Sequence, residues 1–196
     1  MSHMNTSKQP YREDLEVTEA IRKVIYWFFA YPSKEISLTD LATNTGISKT
    51  TANSIVSLLV KDKFLKKDII GKVWRLQCNI DHPLNTTLKI AYNLELIYKS
   101  GITDEVYKSV PNARNVILFG SYRKGDDTNE SDIDIAVETL TTEELKVTSL
   151  ITLKNIGYRK NVVVNLHQFS RKHIDINLFN NIANGIVLDG FLEVNP

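Results

Sequence analysis

The sequence predicts a two-domain chain of the α+β / α/β class: a small helical domain closed by a hairpin, then a small mixed sheet with helices. Three observations carry this. Ile21, Val24, Ile25, Phe28 and Phe29 fall at helical spacing and open a helix, helix, glycine turn, helix, hairpin order. Asp81-His82-Pro83 breaks that order. Beyond a connecting helix, short apolar runs then alternate with Gly-bounded polar turns and helical stretches. Residues 1–4, Met1-Ser2-His3-Met4, read as an expression scar. The first domain spans 12–80, a linker and connecting helix 81–100, and the second domain 101–196.

Composition narrows the classes. Hydrophobic residues at 42% and charged residues at 24% of 196 suit a globular protein with a real core. The longest apolar run, Val24 to Tyr31, is too short to span a bilayer, and nothing resembles a signal peptide, so no membrane partner is expected. A single cysteine, Cys78, excludes an internal disulfide and fits a cytoplasmic setting. Four scattered His residues with one Cys argue against structural zinc. Net charge is +1, yet Gly46 to Cys78 alone carries +5, leaving −4 elsewhere. Such asymmetry points to a polyanion partner for one half.

In order, the first helix ends at Tyr31-Pro32-Ser33. The second runs from about Leu38 to Thr45 with Ser37 or Thr39 as cap. Gly46 turns the chain, and Ser48 caps a third helix reaching about Asp62 that buries Ala52, Ile55, Leu58 and Leu59. Phe64 to Ile70 and Val73 to Cys78 read as strands joined at Gly71-Lys72. This order and the wording Leu38-Thr39-Asp40-Leu41-Ala42, Gly46-Ile47-Ser48-Lys49-Thr50-Thr51-Ala52 and Phe64-Leu65 resemble an N-terminal winged helix-turn-helix of the transcription-regulator kind. The resemblance implies a third helix in the major groove, presenting Lys49, Thr50, Asn53 and Ser54 to DNA, and a wing meeting phosphates through Lys66, Lys67, Lys72 and Arg75. The chain departs from that family's pattern at Lys63, where Gly is common before the wing.

The connecting helix has Ile90, Leu94, Ile97 and Tyr98 on one stripe, which could pack a homodimer or join the domains. A short helix at about Asp104 to Val110 leads to Pro111. Beyond Val137, Thr141-x-x-Glu144 reads as a capping box opening a helix to about Ile156, closed by Gly157. Asn161 to Phe169 reads as a strand. A last helix carrying Leu178, Phe179, Ile182 and Ala183 has Gly185 as its C-cap, before Ile186-Val187-Leu188. The helices are expected on one side of the sheet.

The chemistry concentrates between Asn115 and Val137. Asn115 to Phe119 is a short apolar strand, Gly120-Ser121 a corner, and Ser131-Asp132-Ile133-Asp134-Ile135-Ala136-Val137 a second strand. Alternation puts Asp132, Asp134 and Ala136 on one face, with residues two apart separated by roughly 6.6 Å along the axis. Paired carboxylates can hold Mg²⁺, which completes its octahedron with water and phosphate oxygens. Gly120 permits close backbone approach, Ser121 adds a hydroxyl and Lys124 adds charge; an anion site facing a metal site suggests a nucleoside triphosphate.

Gly120-Ser121, ten residues, then Asp132-x-Asp134 resembles the signature of the DNA polymerase β-like nucleotidyltransferase superfamily, most of all its minimal branch, over about Val110 to Gly190. The resemblance implies a C-terminal small mixed-sheet nucleotidyltransferase fold, Asp132 and Asp134 as catalytic metal ligands, and Gly120, Ser121 and Lys124 as nucleotide-binding residues. It further implies Mg²⁺ (or Mn²⁺) with an NTP, ATP being the expected donor, and a protein or other hydroxyl acceptor, with a HEPN-type protein as a possible partner. That superfamily usually adds a third carboxylate on the next core strand. Here Val162-Val163-Val164-Asn165-Leu166-His167 holds no acid, and Asn165 is the expected occupant, with His167, Glu138 and Asp175 as other stand-ins. An enzyme and a DNA-binding regulator that senses nucleotide without turnover therefore both stand at this stage.

Overall fold

The three N-terminal helices each start on a side-chain cap. The computed structural model describes residues 18–71, 73–140 and 144–194. The Thr18 hydroxyl accepts from the Ile21 amide at the head of α1 (Glu19–Ala30). Ser37, not Thr39, caps α2 (Leu38–Thr45), and Ser48 caps α3 (Lys49–Lys61), each accepting an amide three residues on. Gly46 ends α2 at φ 65°, a left-handed conformation that releases the chain toward α3. The buried face of α3 is Ala52, Ile55, Val56 and Leu59; Leu58 is only partly buried, so the stripe is turned toward Val56.

Hairpin β1 (Leu65–Ile70) and β2 (Val73–Cys78) pairs antiparallel, with Leu65 opposite Cys78. Phe64 lies just outside the strand, fully buried. Ile36, ahead of α2, exchanges backbone bonds with Leu76 and ties the hairpin to the helices. Val24, Phe28, Phe29, Leu41, Val56, Phe64 and Leu76, all fully buried, form the first core.

Pro83–Asn85 makes one 3₁₀ turn with His82 as its cap, and α4 (Thr87–Ser100) follows. Its buried side is Lys89, Tyr92, Asn93 and Ile97, whereas Tyr98 is exposed. The expected stripe was thus rotated, because two polar residues occupy inward positions and read as surface. Tyr92 belongs to the first core and Ile97 to the second, so α4 is a wall shared by both.

After α5 (Ile102–Ser109) come β3 (Asn115–Phe119), the single turn α6 (Gly120–Lys124), β4 (Ile133–Glu138), β5 (Lys146–Ile156), β6 (Arg159–Phe169), α7 (Ile176–Ala183) and β7 (Ile186–Gly190). The sheet order is β5-β6-β4-β3-β7, with β4 and β6 parallel and every other pair antiparallel.

Three expectations are corrected here. The stretch read as a helix up to Ile156 is strand β5, and Thr141 of the proposed capping box lies outside the described residues. Lys146 to Ile156 pairs with β6 along nearly its whole length, and β-branched Val147, Thr148, Ile151 and Thr152 suit that pairing. Gly157, at φ 55°, opens the two-residue hairpin loop joining β5 to β6 rather than ending a helix. Asn184, not Gly185, caps α7. A Cβ on Gly185 would lie 2.6 Å from Ile117 Cγ2 and 2.7 Å from the Leu118 carbonyl, so close approach to β3 selects that glycine.

Nor do the helices share one face. Ile133, Ile135 and Val137 turn toward Ile97, Ile102 and Val106 on α4 and α5. Ile117, Phe119, Ala136 and Phe169 turn the other way, onto Ile182 of α7. Asp134 shares that second face with Ala136 on β4, and Asp132 immediately precedes the strand.

Candidate active site at the Gly120 corner and Asp134

Strand β3 is buried along its whole length and ends at Phe119, opposite Asp134 on β4. The chain turns at Gly120 with φ 71°. A Cβ there would stand 2.6 Å from Asp134 Oδ2, so the bare Cα of the corner lies directly against the carboxylate. Ser121 and Arg123 are half-buried and Lys124 is exposed on the same turn. The corner and the carboxylate, fourteen positions apart, are thus one site.

Asp132 immediately precedes β4 and is exposed, while Asp134 is half-buried within the strand. Parallel pairing sets Asn165 beside Asp134 and His167 beside Ala136. The Asn165 amide donates to Asp132 Oδ2 at 3.4 Å, and His167 Nε2 meets Asp134 Oδ1 at 3.2 Å. His167 packs edge-on against Phe119, with ring centres 4.9 Å apart, and its Nδ1 is buried without a partner. So each carboxylate is touched by one β6 side chain, and Asn165 holds the strand position where an acid was sought.

The other acids proposed as stand-ins are occupied. Glu138 is 2% exposed; it accepts from Arg171 Nε at 2.6 Å and lies 3.5 Å from Arg114. Asp175 caps α7, accepting from the Asn177 and Leu178 amides. Among the described residues no group of three or more His, Cys, Asp or Glu side chains is arranged to hold a metal.

Sequence reasoning missed what holds the gap between the corner and the carboxylates. Lys89 of α4 is buried with Asp127: Nζ lies 3.3 Å from Oδ2 and also donates to the Asp127 carbonyl. Asn93, one turn along, donates to Asp127 Oδ1 at 2.7 Å and to the Tyr122 carbonyl at 2.9 Å. Burial pushes the Asp127 carboxyl up and the Lys89 ammonium down, and their attraction opposes both effects. From the far side, Arg159 donates to the carbonyls of Asn129 and Ser131 at 3.0 and 2.7 Å, and to the Tyr122 hydroxyl. The only signal of α4's role was a lysine and an asparagine four apart, Lys89 and Asn93, among the apolar residues of the helix's first half, and Arg159 gave none.

Residues 102–189 match the family model for polymerase beta, nucleotidyltransferase. This supports a nucleotidyltransferase-type domain for the part of the chain that carries the Gly120 corner, Asp132, Asp134 and Asn165. No curated protein matches the chain. Lys89 and Asn93 lie ahead of the matched stretch, yet they hold a loop inside the nucleotidyltransferase-like domain.

The DNA-binding candidates lie in the N-terminal helices and hairpin. Lys49, Thr50, Asn53 and Ser54 are exposed along one side of α3. On the hairpin Lys66 is exposed, Lys67 stands 4.1 Å over the Trp74 ring, and Arg75 pairs with Glu35. Lys72 lies outside the described residues. Next to the hairpin turn, Ile69, Ile70 and Val73 are each more than half exposed. No helix among the described residues is long and apolar enough to cross a membrane.

Proposed function

We propose that this chain transfers a nucleoside monophosphate from an NTP, ATP being the expected donor, to a hydroxyl of a protein or other acceptor, with Mg²⁺ or Mn²⁺ as the ion. The observation that carries the reading is the contact of the Gly120 corner with the Asp134 carboxylate, which brings a phosphate-admitting backbone and a metal-binding acid to one point. Two acids on one side of the sheet, an amide beside them and a corner without a side chain suit a hard cation that uses one or two carboxylates and fills its shell with phosphate and water oxygens. Asp132 and Asp134 would hold that ion. When bound, it would neutralise the triphosphate and stabilise the entering and leaving oxygens of an in-line displacement.

The chain's own residues do the rest. Gly120 leaves room for the phosphate chain, the Ser121 hydroxyl donates to a phosphate oxygen, and Lys124 offsets charge from the exposed side. Asn165 and His167 hold the two carboxylates in place. The test is Mg²⁺-dependent incorporation of label from α-labelled ATP, with the other NTPs in parallel and co-purified protein present as acceptor. Loss of label in Asp132→Ala/Asp134→Ala supports the reading, and the labelled molecule names the acceptor. A HEPN-type protein is one candidate.

A second reading is favoured by Asn165 itself: β6 offers a neutral amide beside Asp134 and no acid, so the site could bind metal-nucleotide without turnover. Calorimetric NTP binding that requires Mg²⁺, with no transfer to any acceptor, selects it.

The N-terminal unit is proposed as a winged helix-turn-helix that binds DNA, supported by the exposed cation, amide and hydroxyls of α3. The engagement of Lys67 with Trp74 and of Arg75 with Glu35 moves the expected contacts toward α3 and Lys66. A salt titration tests this. DNA binding should weaken steeply with salt, and Lys49→Ala should reduce the slope by about 1. A cytoplasmic setting and a homodimer complete the proposal.

A further inference from the structure

We propose that Arg159 is a positioning residue for the metal carboxylate Asp132. The inference rests on the reading of Asp132 and Asp134 as metal ligands. Strand β4 begins at Ile133, so Asp132 gains no order from the sheet ladder and depends on the loop before it. That loop runs Gly125 to Ser131, and its last carbonyl, on Ser131, receives Arg159 Nη2 at 2.7 Å. The same nitrogen binds the Asn129 carbonyl at 3.0 Å, and Nη1 binds the hydroxyl of Tyr122 on α6. One guanidinium therefore ties the helical turn of the Gly120 corner to the residue immediately before Asp132.

The chemistry of the tie requires arginine. Its planar fork meets three oxygens on two segments at once, which a flexible ammonium cannot reproduce. Arg159 is 8% exposed; its bond to Tyr122 is buried and those to the two loop carbonyls are partly so, which strengthens them over bonds in open water. Its strand, β6, also carries Asn165 and His167, which touch Asp132 and Asp134 directly. Strand β6 thus sets Asp132 twice, by the backbone through Arg159 and by the side chain through Asn165. Loop anchors of this kind act on a metal site without touching the metal.

The experiment uses the full chain as wild type, Arg159→Lys and Arg159→Gln, and each of the three again with Asp132→Asn. Binding of Mn²⁺ alone is read by electron paramagnetic resonance, thermal unfolding checks that every variant folds, and hydrogen exchange is followed over residues 125–134. Arg159→Gln should weaken Mn²⁺ binding about ten-fold, Arg159→Lys should fall between it and wild type, and Asp132→Asn should abolish the difference among the three. An equal loss with and without Asp132, or no loss, overturns the proposal. If wild type binds no Mn²⁺, the metal reading itself fails, and hydrogen exchange then decides on Arg159. Faster exchange confined to residues 125–134 in Arg159→Gln, partly recovered in Arg159→Lys, upholds its positioning of Asp132; unchanged or uniformly faster exchange overturns it.

Discussion

At Lys63 the backbone takes φ 64°, a conformation that costs a side chain with a Cβ about 1–2 kcal/mol and glycine almost nothing. It is the position where the resembling winged-helix family commonly has Gly, and the departure seen in the sequence is thus a strained residue. Lys63→Gly should raise stability by about 0.5–1 kcal/mol in urea unfolding, part of the relief being lost to the freer unfolded chain. Cys78 is the opposite case, a residue made inert by its surroundings. It is 2% exposed, its thiol donates to Asn85 Oδ1, and burial pushes it up to about 11. Since a raised thiol stays neutral until the pH approaches that value, native protein should resist alkylation at pH 8 and react once unfolded in urea. Asn165 gives the third expectation at this scale. Asn165→Asp would set a further negative charge beside Asp134 and Asp132, so the metal-free protein should melt lower and the rise in Tm on adding Mg²⁺ should be larger than in wild type.

Among elements, legibility followed which interactions decided each one. Helices α1, α2 and α3 were readable because local caps and a helical apolar stripe agree, and β3, the Gly120 corner and β4 because a fixed gap joins two short apolar runs. Strand β5 was not readable. Its residues alternate only weakly between buried and exposed, and its partner β6 lies beyond it in the chain, so pairing settles a segment whose own pattern is ambiguous. Helix α4 was legible as a helix but not in its facing, because Lys89 and Asn93 point inward to satisfy Asp127 and Tyr122. The carboxylates and the corner of the candidate site could be named from sequence, while the cations that hold the intervening loop could not: Arg159 meets the loop at backbone carbonyls, which leave no sequence mark, and Lys89 is paired with Asp127 across 38 positions of chain. The buried pair makes α4 testable. Lys89→Met strands the Asp127 carboxylate and should cost about 3–5 kcal/mol in urea unfolding, whereas Lys89→Met combined with Asp127→Asn should recover part of that loss.

For the whole molecule, the two cores meet along α4 and along the β5–β6 loop. The Tyr26 ring of α1 packs tilted at 39° against Tyr92 with ring centres 4.3 Å apart, and the Tyr31 hydroxyl donates to the Tyr158 carbonyl at 2.6 Å. Tyr158 adjoins Arg159, and Tyr92 lies one helical turn from Lys89. Both anchors of the gap loop therefore sit on elements that touch the N-terminal helices. A protein engineer who cut the gene at the first residue of the matched stretch, residue 102, would recover every residue of the Gly120–Asp134 motif and still discard Lys89 and Asn93. The excised piece would keep the motif but leave Asp127 without its Lys89 counter-charge, and the smallest portable unit of this candidate site accordingly starts near Pro83, with α4 included as part of the domain rather than as its tether.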